Sequence, residues 1–514
     1  MDNKKQFILN LIASLVTFVF NLGIGFLLTP YIVRTVGAEA YGFVGLANNM
    51  VNYATLVTVA LNSVSSRFIT VAYHNGEKDK ANRYFTSTLT SDAIIVLVLT
   101  VISVPLILNL ERVINISPHL VEDVKALFSF LFINFFVTTI STVFTVATFI
   151  RNKLYLTSLA NLVCILLKVG SMLVLFSAFP THVFYIGVAT LLSTIVLAIM
   201  NYAYTCRLIP DIRFSRDGFS LASLKHMLSA GVWSSVSKLQ SILQDGLSLL
   251  LTNLLVSPYL MGVLSVSQTI PTYLSGFMTT ISGLFSPNRT KLFAQGRREE
   301  LVAEIKSSMR ITGFFANTIA VVLVILGYEF IHLWQPNQDT ELIYGLMMVT
   351  MSAYLVSGVA STLQSVPLLV NRMKTSALLW LCCGVLSLTL TLIALRFGDG
   401  GVYAVAFIPQ LLGIVANVTF VPLLASSYLQ MSRRSLYWIY LQYVMASGIA
   451  CAVAWLCKRF LLGFASQSWL GFLVSCAIVA VIVMLVDYVV LLGHRERTMI
   501  VMMIRRLLRQ SDRR

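Results

Sequence analysis

Fourteen apolar runs separated by short polar connections take up almost the whole sequence. They lie at roughly 7–33, 42–72, 83–110, 120–150, 153–179, 182–206, 224–256, 259–290, 302–332, 341–370, 373–396, 401–430, 435–460 and 467–493. A bilayer span needs about 20 apolar residues, and every run is long enough. Backbone in lipid must satisfy its own hydrogen bonds, so runs of this length fold as helices. The expected fold is therefore an all-α polytopic membrane protein of about 14 transmembrane helices. Only 11% of residues are charged, against about 25% in soluble chains. A soluble multidomain enzyme and a disordered chain are both excluded. Lys4 and Lys5 precede the first run, which is too long for a secretory signal and lacks a small-residue cleavage site, so it reads as a retained span.

Basic residues alternate across the connections. With the N-terminus cytoplasmic, 29 of the 37 Lys and Arg fall on the cytoplasmic side, six (Arg34, Arg112, Lys125, Arg396, Lys458, Arg459) on the other, and two inside spans. That asymmetry follows the positive-inside rule and accounts for the net charge of +16 without nucleic acid. It places both termini on the cytoplasmic side of the membrane. The seven cysteines form no CxxC pair, and the six histidines share no metal-ligand spacing. No phosphate-binding GxxxxGK[ST] loop is present, and no connection is long enough for a soluble catalytic domain. A catalytic or metal role is not expected. The basic, apolar tail 494–514 suits an amphipathic helix on the anionic leaflet, or equally a polar tail that orients the last span.

A weak repeat runs through the chain. Gly42, Tyr53 and Gly76 recur as Gly262, Tyr273 and Gly296; Thr157-Ser158 recurs as Thr375-Ser376, and Gly187-Val188 as Gly401-Val402. Spans one to six map in order onto seven to twelve. The expected organisation is two pseudo-symmetric six-helix lobes, 1–210 and 211–430, followed by two extra helices at 431–493 and the tail. Parallel repeats of this kind build secondary transporters, which place substrate between the halves.

Polar residues lie in stripes at three- and four-residue spacing, one helix face each. The stripes supply Asn21 in the first span, Asn48 and Asn52 in the second, Lys238, Gln244 and Asp245 in the seventh, and Gln268 in the eighth, with Tyr273 beside it. A Ser/Thr stripe alone is as readily a packing seam; six stripes over both halves favour a wet cavity. A charge at mid-bilayer costs a few kcal/mol even on lenient scales. Lys168 in span five therefore stands out, with Lys238 and Asp245 seven residues apart in span seven. They form either a buried ion-pair network or a cationic centre for an anionic substrate. Arg34, Arg67 and Arg289 lie near span ends, as orientation anchors or as guides at a cavity mouth.

The segment FLLTPYIVRTVGAEAYGFVGLANNMVNY, continuing to SSRFITVAYHNGEKDKANRYF, with its counterpart LLTNLLVSPYLMGVLSVSQTIPTY, resembles the oligosaccharide (O-antigen, Wzx-type) flippases. These form the polysaccharide transporter branch of the multidrug/oligosaccharidyl-lipid/polysaccharide exporter superfamily. The resemblance implies a two-lobed bundle working by alternating access. Its substrate would be a polyprenyl-pyrophosphate-linked oligosaccharide for surface polysaccharide or lipopolysaccharide. It also implies a cationic cavity, for which Lys168 and Lys238 are the matching candidates. Membrane lipids and other polysaccharide-assembly proteins are the expected partners. Coupling to H+ or Na+ is compatible, and no other cofactor is expected. Within the superfamily, a lipid II flippase and a cation-coupled drug antiporter are the alternatives. A membrane glycan polymerase or ligase fits less well, because the outer connection Glu111 to Lys125 is short.

Overall fold

The structure, a computed structural model, describes residues 3–215, 218–461 and 468–498. Among them there is no strand, as backbone buried in lipid requires. The first six helical segments are α1 (Asn3–Val36), α2 (Ala38–His74), α3 (Lys78–Leu108), α4 (Val121–Ser141, carried by a 3-10 turn Thr142–Thr145 into Val146–Ile150), α5 (Leu154–Ala178) and α6 (Tyr185–Leu208). Next come α7 (Leu221–Ser241, a π turn Ile242–Gly246, then Ser248–Leu255) and α8 (Pro258–Ser267, Thr269–Leu284 and Ser286–Ala294). They are followed by α9 (Arg298–Trp334) and α10 (Thr340–Met351, Tyr354–Gln364 and Val366–Leu369). The last four are α11 (Met373–Phe397), α12 (Gly401–Val418 and Phe420–Leu429), α13 (Arg433–Leu461) and α14 (Trp469–Val490). Each apolar run of the sequence falls on one segment. Ten helices are long and apolar enough to cross a membrane unaided, and the pieces of α10, bent by 41°, pass together as an eleventh. The chain is an all-α, multi-pass membrane protein.

Turn geometry repeats where the sequence suggests it. Gly76 and Gly296 both take positive φ, 80° and 67°. After each, the next residue's N–H reaches back five residues: Glu77 N to Ala72 O at 3.0 Å and Arg297 N to Leu292 O at 3.1 Å. Glycine is used because a Cβ would strain this left-handed cap. Asn152 and Asn371 (φ 52° and 55°) close the turns after α4 and α10 in the same way. There Lys153 N meets Thr148 O at 2.7 Å and Arg372 N meets Pro367 O at 2.8 Å. The Gly187/Gly401 match has no such counterpart: Gly187 lies inside α6, whereas Gly401 opens α12 with φ 49°.

The chain forms two compact units, 1–266 and 267–514. In the first, α2 packs along α3, α4 and α7. Small residues let backbones touch, as is common between membrane helices. A Cβ on Gly42 would come within 2.6 Å of Gly262 Cα, and one on Gly231 would overlap the Ala60 carbonyl. Leu61, Ile69, Phe85, Val146 and Met227 form part of an apolar core. Leu97, Val101 and Leu108, by contrast, turn outward, 64–69% exposed, as faces solvated by lipid do. Polar bonds knit one end of this unit. Lys78 Nζ donates to Asp211 Oδ2 at 2.8 Å, and Arg151 donates to Leu208 O at 2.9 Å and to the Tyr73 hydroxyl at 3.1 Å.

In the second unit α9 packs against α10, α13 and α14. Asn317 Nδ2 donates to Asp487 Oδ1 at 2.7 Å while its Oδ1 accepts from the Ser447 hydroxyl at 2.7 Å, joining α9 to α14 and α13. After α14, Arg495 pairs with Glu304 of α9 at 3.3 Å. The amphipathic helix expected over 494–514 lies, from residue 499 onward, outside the described residues.

Candidate functional site

Within the first unit, α1, α5 and α6 border an open cavity of about 330 Å³ lined by Thr17, Asn21, Asn161, Cys164, Ile165, Lys168 and Ser193. Asn161, Ile165 and Lys168 fall at i, i+4 and i+7 on α5, and Thr17 and Asn21 at i and i+4 on α1. Both sets line one face of their helix. The register of α1 on α5 is fixed by two earlier members of the α1 stripe. Asn10 Nδ2 donates to Asn152 O at 3.0 Å while its Oδ1 accepts from Tyr155 N at 2.9 Å, and the Thr17 hydroxyl donates to Ser158 O at 3.0 Å. One end of the α1 stripe is thus a packing seam. The other end, at Asn21, is exposed to the cavity.

Lys168 is half-buried at the wall of this cavity. Among the described residues nothing hydrogen-bonds its ammonium and no carboxylate pairs with it; the side chain that does bond Lys168, Ser171, donates to its backbone carbonyl. An unpaired ammonium at this depth costs about 3 kcal/mol even on the insertion scale. With its three donors free, it faces a chamber that also offers two amides and two hydroxyls. Such a lining can bind an anion at one point and hydrogen-bond polar groups around it.

Lys238 has a different setting. Its ammonium donates to Asn52 Oδ1, joining α7 to α2. Below it α7 widens into the π turn Ile242–Gly246, closed by Leu247 N to Ile242 O at 3.1 Å. The extra residue leaves the Gly246 carbonyl to be satisfied from outside, and Tyr53 of α2 donates its hydroxyl there at 2.6 Å. Gln240 Nε2 meets Gln244 Oε1 at 2.6 Å in the same stretch. Asp245 lies in the turn itself and is exposed. The seven-residue spacing that places Lys238 and Asp245 on one face assumes an unbroken α-helix. The π turn between them breaks that register.

The remaining candidates are dispersed. Asn48 is exposed and donates to Val44 O of its own helix at 2.8 Å. Arg34 and Arg67 are exposed on α1 and α2. In the second unit Gln268 and Tyr273 are half-buried on α8. Arg289 is only 3% exposed: its guanidinium donates to Ser282 O at 2.7 Å, to the Ser365 hydroxyl at 3.0 Å and to Thr362 O at 3.4 Å. That geometry ties the last piece of α8 to α10. The structure therefore joins Lys168 with Asn21, and Lys238 with Asn52. Ser193 and Cys164 complete the cavity but belong to no polar stripe. The sequence carried no signal for them.

The polysaccharide biosynthesis protein family model matches residues 7–288, more than half of the chain and all of the Lys168 cavity. The chain belongs to that family. A curated relative, the uncharacterized membrane protein EpsK of Bacillus subtilis (strain 168), is 28% identical over 466 residues, covering 90% of this chain and 91% of its own. Among solved structures, the lipid II flippase MurJ in an inward closed conformation matches with a TM-score of 0.65 at 16% identity, covering 93% of this chain and 98% of its own. An inward-facing multidrug resistance MATE family transporter of the MOP superfamily matches with a TM-score of 0.61 at 17% identity, covering 83% and 99%. This family member shares its fold with a flippase and a drug transporter.

Proposed function

We propose that the chain is a flippase moving polyprenyl-pyrophosphate-linked oligosaccharide outward across the bacterial cytoplasmic membrane by alternating access, with both termini cytoplasmic. The observation that carries this reading is the unpaired Lys168 ammonium in a cavity otherwise lined by amides and hydroxyls. A pyrophosphate needs a cation held away from bulk water, and sugars need hydrogen-bonding side chains. The polyprenyl tail needs only lipid, which the exposed apolar helix faces provide. Membership of the polysaccharide biosynthesis family supports the glycan, and the shared flippase fold supports movement rather than chemistry. At about 330 Å³ the cavity is at the small end of ligand pockets, which run from about 300 to 1,000 Å³. It suits a pyrophosphate head group, with the rest of the glycan outside it. Lys238 and Asn52 are a second polar point for the substrate to exchange with. Coupling to H+ or Na+ supplies the direction. The breadth of the likeness to the lipid II flippase favours lipid II as a second reading with the same head-group chemistry.

Binding to the purified full chain tests this. Losing a charge-assisted hydrogen bond worth about 1.5–3 kcal/mol weakens binding by roughly 10- to 100-fold. Lys168→Ala should show that loss for a polyprenyl-pyrophosphate oligosaccharide, and Lys168→Arg should recover most of it. Equal affinity for neutral polyprenol would contradict the reading. Preference for lipid II over an oligosaccharide carrier would select the second.

A further inference from the structure

We infer that Asp92, in the middle of α3 and beside Asn62 of α2, is a binding site for a monovalent cation, a proton or Na+. Asp92 is 0% exposed, and neither carboxylate oxygen has a hydrogen-bond partner among the described residues. It lies 14 residues into α3, about 21 Å from the start of the helix. The Asn62 amide lies beside it, and that side chain's Oδ1 is also buried without a partner. The neighbouring Ser91 hydroxyl is a third such oxygen. The carboxylate thus meets an amide and no basic side chain, and an uncompensated carboxylate is among the costliest groups a protein can bury.

Nothing else nearby neutralises it. On α2, Arg67 and His74 are exposed, and Glu39 is at the opposite end of the helix from Asn62. On α4, Glu122, Asp123 and Lys125 all lie in the opening turns. On α7, Lys225 is exposed, the His226 ring meets Phe68 edge-on, and Lys238 is bonded to Asn52. None pairs with Asp92. A proton on Asp92 would supply the missing donor to Asn62 Oδ1. A sodium ion would take the carboxylate and amide oxygens as hard ligands. In either form the α2–α3 seam is neutral and packs dry. With the cation gone, the carboxylate must draw water into that seam, and α2 is the same helix that holds Lys238 and the Gly246 carbonyl. The cation occupancy of Asp92 thereby biases the packing of α2. Its use in coupling rests on the transporter reading; its existence does not.

The test uses the purified full chain without glycolipid. Infrared difference spectra across a pH titration read protonated carboxyl groups, and melting in NaCl against choline chloride at equal ionic strength reads sodium. If the site takes a proton, a carboxylic C=O band titrates in the native protein and is lost in Asp92→Asn. If it takes sodium, the melting temperature rises with Na+ and the rise is lost in Asp92→Asn. Asp487→Asn, altering another fully buried carboxyl, should preserve whichever response is seen. Should Asp92→Asn fail to fold, Asp92→Glu should keep the response with a shifted midpoint. A protein that shows neither response, or shows it undiminished in Asp92→Asn, overturns the proposal. Either result leaves the Lys168 binding experiment unaffected.

Discussion

Three cations in the apolar runs have opposite fates. Arg289 is held by two backbone carbonyls and a hydroxyl, Lys238 is held by one amide, and the Lys168 ammonium has no partner among the described residues. Stability should report this difference. Arg289→Ala leaves buried acceptors unpaired, at about 1–3 kcal/mol, and should lower the melting temperature in detergent by several degrees. Lys168→Ala removes an uncompensated charge and should leave melting unchanged or raise it. A Lys168→Ala protein that melts as early as Arg289→Ala would show that the lysine is structural. The sequence located all three residues, because a basic residue in an apolar run is conspicuous. It could not rank them, because the partners of Arg289 on α10 are more than 70 positions away. At the membrane edge the Lys78 ammonium donates to Asp211 and holds that carboxyl below its ordinary range. A lowered folded value stabilises above the unfolded pKa and is lost as pH falls through the folded one. Asp211→Asn should therefore make melting less sensitive to acid than in the native chain, while leaving it near native at neutral pH. An unchanged acid limb would show the pair to be inert, as many exposed pairs are.

At the scale of elements, run length made the helices legible, and the repeat's match of Gly76 with Gly296 falls on two turns of the same geometry. The π turn of α7 was not legible. One extra residue inside an apolar run changes neither its length nor its composition, and only the Tyr53 bond to Gly246 O reveals it. Tyr53→Phe keeps the ring and deletes that bond. The unsatisfied carbonyl should cost about 1–3 kcal/mol, seen as a lower melting temperature, with faster amide exchange concentrated in 242–250. Exchange unchanged there would mean that the turn stands without its clamp. The polar stripes were legible only as faces. On α1 the same stripe is a seam at Asn10 and Thr17 and a cavity wall at Asn21; the difference lies in what α5 presents opposite each residue.

For the whole molecule, hydropathy fixes a multi-pass helical protein, and the family model with the solved neighbours fixes its family and fold. The proposed head-group site is a cavity assembled from three helices, with lining residues nearly 180 positions apart in sequence, from Thr17 to Ser193. Periodicity could nominate its members and could not bring them together. The most direct test is flipping itself. Purified protein in sealed vesicles would be given a polyprenyl-pyrophosphate oligosaccharide in both leaflets, and the fraction reached by an impermeant glycosidase followed with time. The account predicts that the native chain exposes the whole pool, that Lys168→Ala exposes only the outer half, and that Lys168→Arg restores most of the rate. Full exposure by Lys168→Ala at the native rate would contradict it.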